Sequence, residues 1–333
     1  MKKTHYLIVA LLIIAVGAGW LLFKPADLGV FNGSKPRVAV SLPLLRDLVE
    51  EIGGDGVAVE SIINGPSCNH EYEPASGDLV NVSQSAVFVK VGLGFDTWAD
   101  KLVKNAGGKI LLIDASQGVT AIKDESDDHD EQGRHDESES HEADEEHEGH
   151  EEHGGEGGHA TADHHHHESG NPHYWGDPEN VKIMANNILT GLVKAFPEQQ
   201  DIFTRNYQAY LAKLDRTVAA LKAELTKVPD KRILSYSAAF PYFHRYFGLD
   251  NLATVETTCE QEVSPRRLAE VITMAKAEEV KVVVGEAVYP KLPENLAKET
   301  GAKLVLLWPA TNETGDYLET LTENVKKLVA ALQ

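Results

Sequence analysis

Cysteine is almost absent: Cys68 and Cys259 are the only two in 333 residues. A disulfide scaffold is thereby ruled out, and a hydrophobic core must hold the chain together. Basic residues are scarce as well, 31 Lys and Arg against 52 Asp and Glu, a formal charge of -21. With no basic face to displace counterions from phosphate, nucleic acid is excluded as a partner. Catalytic signatures are also missing. The chain has no His-Glu-x-x-His, no glycine-rich phosphate loop behind a strand and no Gly-x-Ser-x-Gly elbow. Zinc-protease, nucleotide and serine-hydrolase chemistries therefore lack their usual anchors, and no enzymatic activity is expected.

Histidine beside acid is what the chain has in excess. Residues 124–168 hold 11 of the 15 histidines and 19 Asp and Glu against the single basic Arg134, a charge of -18 that leaves -3 for the other 288 residues. Such a run has too few apolar side chains to offset its ordering entropy and is expected to stay disordered. Its imidazoles and carboxylates suit borderline divalent metals, so accessory metal collection is expected of it. His164, His165, His166 and His167 alone would read as an expression tag. The dispersed His129, His135, His141, His147, His150, His153 and His159 cannot.

Lys2 and Lys3 precede an uncharged stretch over 6–23. This segment, 1–24 with its flanks, reads as an export signal or as a single spanning helix with its positive end in the cytoplasm. The protein is then extracytoplasmic (periplasmic), exported or anchored to the cytoplasmic membrane. The apolar run continues past the small residues that would permit cleavage, which favours an anchor. No cysteine follows it to carry a lipid.

Short apolar strands over 37–42, 57–63, 86–91 and 109–113 alternate with amphipathic helices over 44–52 and 97–105. Beyond the acidic run the pattern resumes, with strands over 232–236, 252–255, 280–284 and 303–307 and helices near 241–247, 265–278, 293–300 and 316–332. An α/β fold with two lobes of mostly parallel sheet follows. The expected divisions are an N-terminal lobe over 36–120, the insertion over 121–170, a helical segment over 178–229 and a C-terminal lobe over 230–333. Within the helical segment Tyr207, Tyr210, Leu211, Leu214, Val218, Leu221 and Leu225 step by threes and fours, the stripe of a helix of about thirty residues. A single helix that long would act as a stiff spine joining the lobes; a short coiled coil is the alternative.

Two segments carry the candidate site. Asn64-Gly-Pro-Ser-Cys-Asn-His70-Glu-Tyr-Glu-Pro74 follows a strand, where Gly and Pro place His70 in a loop. Asn171-Pro-His173-Tyr-Trp-Gly-Asp-Pro178 follows the acidic run and leads into a helix, with Asp177 suited to N-cap and Pro178 to the first helical position. These two motifs, the His-rich stretch between them, Ala239-Phe-Pro-Tyr-Phe243 and the closing Gly315-Asp-Tyr-Leu together resemble the zinc and manganese solute-binding proteins of ABC importers, from about residue 38 to the C-terminus. The resemblance implies two lobes joined by one rigid helix, a divalent metal held in the cleft between them, and delivery to an ABC permease in the cytoplasmic membrane. Zn2+ is the expected ion and Mn2+ the alternative; a monomer is expected.

Carried over by motif, His70 and His173 match the family's first two metal ligands. The other two positions depart from it. Ser237 stands where the family has His or Glu, and Trp308, in Leu307-Trp308-Pro309, where a carboxylate is usual. A serine hydroxyl is a poor zinc ligand at neutral pH and an indole offers no lone pair. Three completions stay open: Glu286 at a strand end as an oxygen ligand, with water; Cys68 and Cys259 as thiolates beside the two histidines; or a Cys68–Cys259 bridge with water in the open positions. His244, in an aromatic helical turn, is expected to hydrogen-bond locally rather than to ligate. A membrane-tethered buffer, binding metal through the insertion alone, is the competing function.

Overall fold

The computed structural model describes residues 35–65, 70, 72–122, 170–256 and 263–333. Cys68, Cys259, the acidic run over 124–168 and the apolar segment over 6–23 lie outside the described residues. Among those described, no helix is long and apolar enough to cross a membrane.

The described residues divide into two compact units, the first within 1–118, 178–223 and 310–325, the second within 119–177, 224–309 and 326–333. In the first, β1 (Arg37–Val40), β2 (Ala58–Ser61), β3 (Val87–Lys90) and β4 (Leu111–Asp114) form a parallel sheet of order β2-β1-β3-β4. Val38, Ala39 and Val40 are all buried, because a parallel sheet is covered by helices on both faces and needs apolar side chains on each. Helix α1 (Pro43–Gly53) begins with proline at its first turn and buries Leu44, Leu45, Leu48, Val49 and Ile52, the spacing of one helical face. α2 (Ser76–Ser83) and α3 (Trp98–Ala106) pack on each other, and α4 (Pro178–Ala195) packs on α1 and β4. α5 (Gln200–Leu225) is 26 residues, about 39 Å at the helical rise, and buries Phe203, Tyr210, Leu214, Val218, Leu221 and Leu225. Its residues through Ala223 belong to the first unit and Glu224 opens the next stretch of the second.

The second unit repeats the plan. β5 (Arg232–Ser235), β6 (Asp250–Thr254), β7 (Val282–Glu286) and β8 (Lys303–Leu307) are parallel in the order β6-β5-β7-β8. α6 (Pro241–Phe247), α7 (Pro265–Ala277) and α8 (Lys291–Thr300) make the crossovers, with Val271, Ala275, Leu296 and Ala297 packed on Leu234 and Val283. Gly285 lets α8 lie close: a Cβ there would collide with the Pro293 ring. In each sheet the strand order reverses beside the first strand, between β1 and β3 and between β5 and β7. Open parallel sheets bind ligands at the carboxyl ends of strands at such switch points.

Strand β8 matches the expected 303–307, whereas the other strands differ by a few residues at one or both ends. Helix α2 is not among the expected elements. Gly77 and the β-branched Val80 and Val82 hide it from periodicity, and its start is fixed by the Asp78 carboxylate, which accepts from Ala75 N–H at 2.7 Å and from the Tyr72 hydroxyl at 2.8 Å.

α9 (Tyr317–Leu332) is tied to the first unit at its start, where Asp47 of α1 accepts the Tyr317 N–H at 3.1 Å. Burial, with Asp316 and Glu51 nearby, pushes the Asp47 carboxyl up to about 7. A raised carboxyl favours folding while protonated and loses that contribution as pH climbs through the folded value. Wild-type stability should therefore fall by up to about 1.4 kcal/mol per pH unit between about pH 4 and 7 from this group. Asp47→Asn keeps an acceptor for Tyr317 and should remove that slope, giving the higher urea midpoint at pH 7 and above.

Candidate metal site

His70 lies in the loop between β2 and α2 of the first unit. Its ring rests on Phe95, centroids 4.2 Å apart at 48°, in the loop that leaves β3 at the switch point. That loop is pinned from below: buried Asp96 accepts from Val91 N–H at 2.6 Å and Gly92 N–H at 2.9 Å. Gly92, Leu93 and Gly94 all have positive φ there, and the two glycines make the tight path tolerable. Burial raises the Asp96 carboxyl, against those two amide hydrogen bonds. Tyr72 packs on Trp98 at 5.1 Å, so His70 and Tyr72 each rest on an aromatic side chain of the first unit.

His173 belongs to the second unit and is buried, at 1% exposure. It opens a one-turn 3-10 helix, Tyr174–Gly176, ahead of α4. Its backbone N–H and its ring Nδ1 both approach Asn171 Oδ1, at 3.0 and 3.1 Å, and Trp175 meets the ring edge-on at 5.2 Å. This short motif gathers distant segments. Asn171 Nδ2 donates to Ala238 O at 2.9 Å, Trp175 Nε1 to Pro309 O at 2.8 Å, and the Tyr242 hydroxyl donates to Asn171 O at 2.8 Å while accepting from Ile122 N–H at 2.8 Å. Gly176 permits the approach of α6, since a Cβ would come within 2.9 Å of Phe243 N.

Ser237 and Glu286 stand together at the carboxyl ends of β5 and β7. The Ser237 hydroxyl donates to Glu286 Oε1 and accepts from Ala239 N–H at 3.1 Å. Its single proton is thus committed to the carboxylate, consistent with a bracket for Glu286 rather than a ligand. Burial raises the Glu286 carboxyl, and the Ser237 hydrogen bond opposes that rise. Trp308 is half-buried, with the Lys327 ammonium 5.8 Å above its ring while the same Nζ donates to Leu306 O at 3.1 Å. Its indole therefore serves as a platform for a cation. Among the described residues no three His, Cys, Asp or Glu side chains already converge as a metal cluster. The structure brings His173, Ser237 and Glu286 into one unit, places His70 in the other, and leaves Cys68 and Cys259 outside the described residues. Asn171, Phe95 and Asp96, which support the two histidines, were not singled out from sequence; Asn two residues ahead of a turn histidine was the available signal.

Residues 38–331 match the model of the family described as zinc-uptake complex component A, periplasmic (ZnuA), a family of substrate-binding receptors of metal transporters and not of enzymes. The high-affinity zinc uptake system protein ZnuA of Bacillus subtilis is 26% identical, covering 83% of this chain and 79% of that protein. The manganese-binding lipoprotein MntA of Halalkalibacterium halodurans is 25% identical over 100% of this chain and 99% of its own length. A crystal structure of ZnuA superposes with a TM-score of 0.72 at 26% identity, covering 90% of this chain and all of the other.

His244 of α6 departs from expectation. Rather than hydrogen-bonding locally, its ring is buried between Phe240 and Phe243, centroids 6.0 and 6.1 Å away, and neither ring nitrogen has a hydrogen-bond partner. Burial lowers its pKa from 6.5 to about 3. A histidine kept neutral by the fold contributes stability above its unfolded pKa and loses it as pH falls toward the folded value. The unfolding free energy from urea titrations should drop between about pH 6.5 and 3 by up to about 1.4 kcal/mol per pH unit from this group. His244→Phe should flatten that part of the profile; an unchanged slope would refute the assignment.

Proposed function

The chain belongs to the ZnuA family of periplasmic zinc-uptake components, and from that premise we propose that it is the extracytoplasmic receptor that captures one divalent transition metal and delivers it to the permease of an ABC importer. The family match over residues 38–331 carries the reading. Zinc is the proposed cargo. Two imidazoles suit a borderline ion, and a carboxylate fits the same coordination sphere. His70 and His173 are the proposed nitrogen donors, each in a turn beside regular structure. Glu286 is the proposed oxygen donor, its carboxylate held by the Ser237 hydroxyl; an indole at Trp308 leaves that position without a donor. Water completes the sphere. Manganese is the competing cargo, since a carboxylate and water also suit that ion.

Residues 124–168 act in this reading as an accessory collector, their eleven histidines gathering metal weakly near the receptor. The N-terminal segment over 6–23 would export the protein or tether it to the membrane.

Calorimetry on the full chain separates receptor from buffer. Wild type should bind one zinc ion tightly, with several weak equivalents that vanish on deleting 124–168 while the tight site stays. His70→Ala and His173→Ala should each abolish the tight site, and Glu286→Gln should weaken it by roughly ten- to a hundredfold, the cost of replacing a charged donor by a neutral one. If the tight site disappears only with the deletion, the protein is a buffer and the receptor reading fails.

A further inference from the structure

We propose that Asn171 is a positioning residue that sets the tautomer of His173, holding the proton on Nδ1 so that the ring lone pair sits on Nε2. This rests on the reading of His173 as a metal donor and adds to it the identity of the group that prepares the donor atom.

The argument needs only the direction of each hydrogen bond. Asn171 has one amide oxygen and one amide nitrogen, and their places are fixed by partners that cannot exchange roles. The Ala238 carbonyl only accepts, so the atom 2.9 Å from it is Nδ2. The His173 backbone N–H only donates, so the atom 3.0 Å from it is Oδ1. An amide oxygen has no proton to give. His173 Nδ1, 3.1 Å from that same oxygen, must then be the protonated nitrogen of the neutral ring. Free histidine prefers the opposite form, with the proton on Nε2, so Asn171 works against an intrinsic preference. A ligating histidine whose other nitrogen donates to a fixed acceptor has both its tautomer and its ring orientation set in advance. Trp175, edge-on at 5.2 Å, limits rotation of the His173 ring. His173 and Asn171 are both buried, at 1% and 3% exposure, so water does not readily substitute for the amide oxygen.

Two substitutions separate positioning from mere structural support. Asn171→Leu and Asn171→Asp both remove the donor to Ala238, but only the leucine removes the acceptor for Nδ1. The readout is two-bond nitrogen–proton correlation NMR on the 15N-histidine-labelled, metal-free full chain at alkaline pH, with the His173 signals assigned by their loss in His173→Gln. Wild type and Asn171→Asp should show the Nδ1–H signature, and Asn171→Leu should shift toward the Nε2–H form. Zinc affinity should fall roughly ten- to a hundredfold in Asn171→Leu, and Asn171→Asp should recover most of that loss. Identical His173 spectra in the two variants, or an Nε2–H signature in wild type, would overturn the proposal. Because the spectra are taken without metal, they decide the positioning role by themselves. An unchanged tight site in His173→Ala would instead overturn the receptor reading and leave the tautomer result standing.

Discussion

Asn171 commits both ends of its amide to partners that cannot trade places, a backbone donor and an imidazole on one side and a carbonyl on the other. Much of the second unit's site is organised by that constraint. Through Ala238 it fixes the segment behind Ser237, and through its own carbonyl it holds the Tyr242 hydroxyl, which in turn receives Ile122 N–H. Trp175, four residues on, fastens Pro309 beside Trp308. Buried polar groups are costly unless each is satisfied. A network in which every bond has one permitted direction therefore admits one arrangement of the His173 turn, and the strand ends around it follow.

The proposed donors of the second unit differ in hardness, an imidazole at His173 and a carboxylate at Glu286. Ser237 uses its proton on Glu286, so a carboxylate at the end of β7 is oriented by a hydroxyl at the end of β5. The same geometry that makes serine a poor ligand makes it a good bracket. His70 is supported by different means in the first unit, an aromatic face from Phe95 on a loop that Asp96 pins through two backbone amides. Charge is divided just as sharply, with -18 in residues 124–168 and -3 elsewhere. The chain outside that run is therefore close to neutral, so strong self-repulsion is confined to one insertion.

The buried parallel strands were legible because their sequence repeats one physical demand. Val282, Val283 and Val284 are fully buried on both faces of β7, and a continuous apolar run is what such a strand requires. Helices with a clear stripe, α1 and α5 among them, were legible for the same reason. α2 was not, since glycine and valines give it weak propensity, and its start is marked by hydrogen bonds from Ala75 N–H and the Tyr72 hydroxyl to Asp78 rather than by an apolar stripe. Trp308 was legible only as an indole standing where a carboxylate is usual. Its place beneath Lys327 depends on α9, which starts only at Tyr317, after eight intervening residues.

By itself the sequence determined the α/β class, the two histidine turns, the segregation of acid into one insertion and the lack of any enzymatic signature, because each is local or compositional. The family resemblance added which histidines to compare. Only the tertiary structure decided that Ser237 serves Glu286, that Asn171 holds His173, and that His244 is buried without a hydrogen-bond partner for its ring. These depend on directions and distances between residues far apart in the chain, and hydrogen-bond direction is a property of placed atoms that no spacing of residue types encodes.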